Sequence, residues 1–243
     1  MVYRFFLLII LSLAFVGCGS KGKTYTVGVD PTWFPLNLMG KEPNVFAFSN
    51  ELLLEISRHE GINFQRLNLS WDNLTMGLEE GKCDAILSSV YPYVFELKKY
   101  DFSDLYLNTG PVLLVKGDSM LNVSSPMEGK EIAVGSQEQE ALFIRLYPQT
   151  IVRYYNQIPT ALNALVNGYV DGVVVGYIPA TAFVEDLYEG KLKIATPPLN
   201  EAGLRLLTVH DEHSELIEAF NRGLEKTRDS GKYEKLLKKW NLD

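Results

Sequence analysis

Residues 84–107 read DAILSSVYPYVFELKKYDFSDLYL, and this stretch decides the fold. It opens on an apolar run of strand length, Ala85-Ile86-Leu87, then breaks into Ser88-Ser89. A buried strand that ends on two hydroxyls uses them either to cap the next turn or to face a ligand. Strands of this kind finish at the carboxyl edge of an open α/β sheet, where ligands bind in the crevice outside. The unit also recurs. Leu78-x-x-Gly81-x-x-Asp84-x-Ile86 is matched further on by Leu165-x-x-Gly168-x-x-Asp171-x-Val173. Each copy is a helix end, a glycine beyond it, then an aspartate leading an apolar strand. One βα-unit built twice argues for two similar lobes. Both aspartates read as turn residues that bond the local backbone, not as catalysts.

On either side the elements follow in order. Residues 24–30 (TYTVGVD) alternate as a strand. They lead into Asp30-Pro31-Thr32-Trp33-Phe34-Pro35-Leu36, a loop that its two prolines keep from being helical. Apolar spacing predicts a helix over 48–60, with Ser49 as N-cap and Gly61 past its end. A strand over 62–69 and a helix over 71–80 follow. The chain crosses to a second lobe at 111–115. That lobe reads as strand 131–134, helix 140–147, strand 151–154, helix 159–167, strand 171–175, helix 181–188 and strand 192–195. It recrosses over 197–203, adds a strand at 206–209, and ends on helices 214–229 and 232–240. Two crossings mean two hinge strands and a cleft that can close on a ligand.

Composition excludes several functions. The 243 residues, 47% hydrophobic and 22% charged, suit a globular chain large enough for two lobes. A formal charge of −7 argues against a nucleic-acid partner. Arg4 and the apolar run over 5–16, too short to span a bilayer, read as a signal peptide over 1–17. It ends Phe15-Val16-Gly17-Cys18, which resembles a bacterial lipoprotein cleavage box, with lipid on Cys18 and a polar tether over 18–23. That leaves Cys83 unpaired, as a small core residue. His210 and His213 have no third ligand near them in the chain, so no zinc site is expected. There is no P-loop, dinucleotide glycine fingerprint or nucleophile elbow, and no cofactor is expected.

Several blocks carry a resemblance: TVGVDPTWFPL, WDNLTMGLEEGKCDAILSS, YDFSDLYLNTGPVLLVKGDS and the closing SGKYEKLLKKWNL. Together they resemble the bacterial extracellular solute-binding proteins of family 3, which serve polar amino-acid ABC transporters. The resemblance implies an α/β, type II periplasmic-binding-protein fold, with two lobes joined by two hinge strands. Lobe 1 is then 24–109 plus 204–243, and lobe 2 is 110–203. It places Asp30, Trp33, Trp71, Ser88, Ser89 and Tyr91 of lobe 1 around the ligand, with Trp33 and Trp71 as an aromatic clamp. Lobe 2 would add Gln137, Glu138, Gln139, Gly176 and Tyr177.

Three anchors depart from the family's pattern. Glu96 stands where an arginine grips the α-carboxylate, and no arginine occurs between Arg66 and Arg145. Gln137-Glu138 replaces a Gly-Thr pair, and Gly176 replaces the aspartate that holds the α-amino group. The expected ligand is therefore a small polar solute, cationic at this end or bound without its α-carboxylate, unless Lys98, Lys99 or Arg205 near the second crossing substitutes for the lost arginine. Its partners would be a permease and an ATPase, with the membrane reached through the N-terminal lipid and the protein a monomer. Two other readings compete: a sensor or surface lipoprotein on the same fold, and a dehydratase-like enzyme using Glu96 and Glu138 as acid and base. Acyl chains on Cys18 would bury methylenes at about 0.8 kcal/mol each. Cys18→Ser should therefore move the protein to the soluble extracytoplasmic fraction in detergent phase separation; retention equal to wild type contradicts the anchor.

Overall fold

The computed structural model describes residues 22–243, so Cys18 and the leader lie outside the described residues. The chain enters with β1 (Thr24–Val29), α1 (Glu42–Glu60), β2 (Asn63–Asn68), α2 (Trp71–Glu79), β3 (Ala85–Ser88), β4 (Tyr100–Phe102) and β5 (Leu107–Asn108). It then builds β6 (Pro111–Lys116), β7 (Glu131–Val134), α3 (Gln137–Leu146), β8 (Ile151–Tyr154), α4 (Ile158–Val166), β9 (Gly172–Gly176) and α5 (Tyr177–Ala182). After a π-helical turn, Phe183–Leu187, come β10 (Leu192–Ile194), β11 (Gly203–Val209), α6 (Ser214–Asp229) and α7 (Lys232–Lys239).

Two sheets result, ordered β2-β1-β3-β11-β4, with β5 also on β11, and β10-β6-β9-β7-β8. Each holds three parallel strands and then an antiparallel strand arriving from the other lobe: β11 beside β3, and β6 beside β9. Helices cover both faces of the first sheet. Phe48, Ile56, Leu206 and Phe220 fill one side, and Leu74, Leu78, Cys83, Ile86 and Leu207 the other. Each such side chain contributes about 1.5–3 kcal/mol by leaving water. Cys83 is a buried free thiol whose pKa burial pushes up.

The repeated unit is repeated in space as well. Gly81 and Gly168 sit at φ 70° and 77°, the left-handed turn that ends a helix without side-chain cost. Asp84 N–H then donates to Thr26 O at 2.8 Å, and Asp171 N–H to Glu131 O at 2.7 Å. The carboxylates answer: Asp84 Oδ2 accepts from Thr26 N–H at 2.6 Å, and Asp171 Oδ2 from Glu131 N–H at 2.9 Å. Both aspartates are structural, but they pin a neighbouring strand, at Thr26 within β1 and at Glu131 opening β7, and not their own turn.

Four boundaries differ from expectation. Helix α1 starts at Glu42, because Pro43 is compatible with a first turn. Ser49 is consequently buried inside that helix, donating to Val45 O at 2.8 Å and sharing a 3.0 Å bond with Tyr106 Oη, and is no N-cap. Helix α3 starts at Gln137, so Gln137, Glu138 and Gln139 form its first turn. Helix α5 follows β9 directly. Strand β11 begins at Gly203, which brings Arg205 into the ladder. Removing either carboxylate, by Asp84→Ala or Asp171→Ala, should lower stability by about 1–3 kcal/mol, read from the urea midpoint at unchanged slope. An unchanged midpoint in both variants contradicts the strand-pinning role.

Candidate functional site

In each sheet the parallel strands bring three carboxyl ends to one edge. The first sheet's edge carries Asp30 after β1, Trp71 after β2 and Ser88 ending β3. The second carries Gly135 and Ser136 after β7, and Gly176 ending β9.

Register sets the polar residues of lobe 1 in a row. Val29 pairs with Leu87, so Asp30 comes next to Ser88, and Ser88 pairs with Arg205. Ile86 and Leu207, one period earlier on their strands, face α2. Ser88 and Arg205 therefore project on that same side, as strand alternation requires. Asp30 is 5% exposed, and its Oδ1 accepts from Thr32 N–H at 2.8 Å and from Thr32 Oγ1–H at 2.7 Å. Ser88 Oγ accepts from Val90 N–H at 3.2 Å, so it caps the turn and still has a proton to donate. Ser89 is half-buried beside it.

The aromatic clamp is not built as expected. Trp33, held at φ 57°, is 3% exposed inside the lobe 1 core. A left-handed conformation costs a bulky residue roughly 1–2 kcal/mol, less than burying its indole contributes. The next residue, Phe34, is 57% exposed and meets Trp71 edge-on at 6.0 Å. Phe34 and Trp71 thus form the accessible pair, which hydrophobic spacing in a non-helical loop does not reveal. Of the aromatic run after Ser89, the sequence pointed to Tyr91 alone. Tyr91 and Tyr93 lie 4.8 Å apart, and Tyr93 stacks on Phe95 at 5.5 Å. Glu96 sits in the turn that follows, half-buried near Tyr100.

Lobe 2 offers less. Ser136 Oγ accepts from Gln139 N–H at 3.3 Å, and Gln139 Oε1 accepts from Gly135 N–H at 2.8 Å, a reciprocal cap that engages Gln139 in starting α3. Gln137 and Glu138 are exposed. Tyr177 packs against the cores of both lobes, and its N–H donates to Gly110 O at 3.0 Å. It stands beside the first crossing, and burial pushes its hydroxyl pKa up. Gly176 lies beside it, where an added Cβ would touch Thr109 O at 3.6 Å. The two crossings bond each other, Thr109 N–H to Ala202 O at 2.9 Å and Leu199 N–H to Pro111 O at 2.8 Å.

Two long-range pairings supply what local reading lacked. Although no arginine occurs between Arg66 and Arg145, β11 delivers Arg205 to the edge opposite Ser88. The same strand brings Asp101 to His210, Nδ1 to Oδ1 at 2.8 Å, with Asp211 3.6 Å from Nε2. This surface ion-pair group raises the His210 pKa chiefly through the Asp101 hydrogen bond.

A duplicated two-lobe α/β chain with two bonded crossings, polar strand ends and an aromatic pair at one edge is built as a solute-binding protein. The chain matches the model of the bacterial extracellular solute-binding proteins, family 3, over residues 25–243, and it belongs to that family. It is 24% identical to the L-cystine-binding protein TcyJ of Escherichia coli (strain K12), covering 89% of this chain and 82% of that protein. It is 25% identical to the arginine-binding extracellular protein ArtP of Bacillus subtilis (strain 168), covering 95% and 93%. In fold it is similar to the unliganded, open L-cystine solute receptor of Neisseria gonorrhoeae, with a TM-score of 0.72 over 92% of this chain and 94% of that one, at 17% identity. The members of this family named here are substrate-binding proteins.

The placement of the two neighbouring aromatics is open to a direct check. Trp33→Ala should cost about 3–5 kcal/mol of stability, while Phe34→Ala should stay within about 0.5 kcal/mol. Equal losses in urea unfolding would contradict a buried Trp33 and an exposed Phe34.

Proposed function

We propose that this chain is the substrate-binding component of an ABC importer, holding one small, polar, amino-acid-like solute between the carboxyl edges of its two sheets. The observation that carries this reading is the pairing of duplicated topology with unequal edges. Lobe 1 presents Asp30, Ser88 and the Phe34–Trp71 pair, whereas the lobe 2 edge is small and open at Gly135 and Gly176. One lobe therefore holds the solute and the other closes over it, with lobe limits at 109/110 and 203/204. Function follows from binding alone: the closed, occupied form differs from the open one, and a permease with its ATPase reads that difference. Glu96 and Glu138 belong to different lobes, and among the described residues no hydrogen bond joins them as an acid–base pair. The protein works as a monomer outside the cytoplasm, tethered through lipid on Cys18; among the described residues no helix is long and apolar enough to cross a membrane.

Native mass spectrometry of the mature protein should show a single bound solute, released on denaturation and chemically unchanged. Losing one aromatic face in Trp71→Ala should weaken rebinding by about 1–3 kcal/mol, measured by calorimetry. Wild-type affinity in a folded Trp71→Ala protein would remove that residue from the site, and turnover of the solute would contradict a binding role.

A further inference from the structure

One cation on the lobe 1 edge is buried, and its ion-pair partner is a loose, solvent-exposed carboxylate. Arg205 is 5% exposed, and its Nη1 donates to the backbone oxygen of Glu201 at 3.1 Å. The Glu201 carboxylate stands 3.7 Å from Nη2, beyond hydrogen-bond range, on a side chain that is 82% exposed. Nε and Nη2 have no hydrogen-bond acceptor among the described residues. Arginine is almost never this buried unless paired, and this pair is long and lies mostly in solvent. Burial pulls the guanidinium's pKa down, against the nearby Glu201, Tyr91 and Asp104.

The fold does not ask for an arginine here, and its own duplication shows why. Asp84 and Asp171 are equivalent, so the rung four residues on is Ser88–Arg205 in lobe 1 and Val175–Val112 in lobe 2. Both valines are fully buried. One strand further along each row stands Asp30 in lobe 1 and Gly135 in lobe 2. Two valines satisfy the architecture, whereas lobe 1 spends a carboxylate, a hydroxyl and a guanidinium on the same three places. Neighbouring strands lie about 4.8 Å apart, so Asp30 and Arg205 flank Ser88 with opposite charges.

We propose that Arg205 is the anion anchor of the solute site: its free fork takes the solute's carboxylate, with Ser88 beside it and Asp30 receiving a cationic group. This rests on the solute-binding reading and narrows it to a carboxylate-bearing solute, in place of one lacking that group or not engaging it. A carboxylate accepts two parallel N–H bonds from a guanidinium, which Glu201 at 3.7 Å does not.

The test uses matched compounds that differ in the carboxylate: L-arginine and agmatine, L-histidine and histamine, L-cystine and cystamine. Each is titrated calorimetrically into the purified mature protein and into Arg205→Met, with circular dichroism and melting as folding controls. At least one acid should bind, about 30-fold or more tighter than its amine. Arg205→Met should abolish that difference, and Arg205→Lys should keep part of it. If Arg205→Met does not fold, Arg205→Gln carries the comparison. Amine binding as tight as acid, or a folded variant that binds acid with wild-type affinity, overturns the anchor and leaves the solute-binding role standing. Binding by none of the six compounds overturns the anchor and the amino-acid-like solute together.

Discussion

The antiparallel ladder between β3 and β11 is the constraint on which the rest depends. It carries the chain back from lobe 2 and makes the second crossing. It also inserts Leu204 and Leu206 into one core and Leu207 into the other. Without it the first sheet would stop at β3, an edge strand whose faces are already buried by helices. An unpaired edge of that kind leaves backbone N–H and C=O groups unsatisfied. The same ladder sets Arg205 across from Ser88, so the strand that closes the fold also completes the polar row.

Duplication then separates architecture from function. What both lobes share is structural: the left-handed glycines, the paired aspartates and the parallel strands. Where they differ at equivalent places, the difference needs another reason. Lobe 1 puts Asp30, Ser88 and Arg205 where lobe 2 puts Gly135, Val175 and Val112. Tyr177 links the two cores beside the bonded crossings.

How much was legible in the sequence follows the range of each interaction. Gly81 and Gly168 declare themselves through local turn chemistry, whereas the carboxylates of Asp84 and Asp171 bond a neighbouring strand that local reading does not name. Helix α1 begins before Ser49, which the sequence offers as N-cap, because Pro43 fits a first turn. Trp33 and Phe34 are adjacent aromatics in a loop with no periodicity, so nothing local says which turns inward. Arg205 is the extreme case. Its partner Ser88 belongs to a far earlier strand, and the pairing exists only once the chain has crossed to lobe 2 and returned.

The most direct test of this account is a crystal structure of the mature protein with the solute it carries when purified. The account predicts density for a single small molecule at the carboxyl edge of the first sheet, bonded to Arg205 and Ser88 and lying against Trp71. Density elsewhere, or a solute at that edge with Arg205 still turned to Glu201, would contradict it.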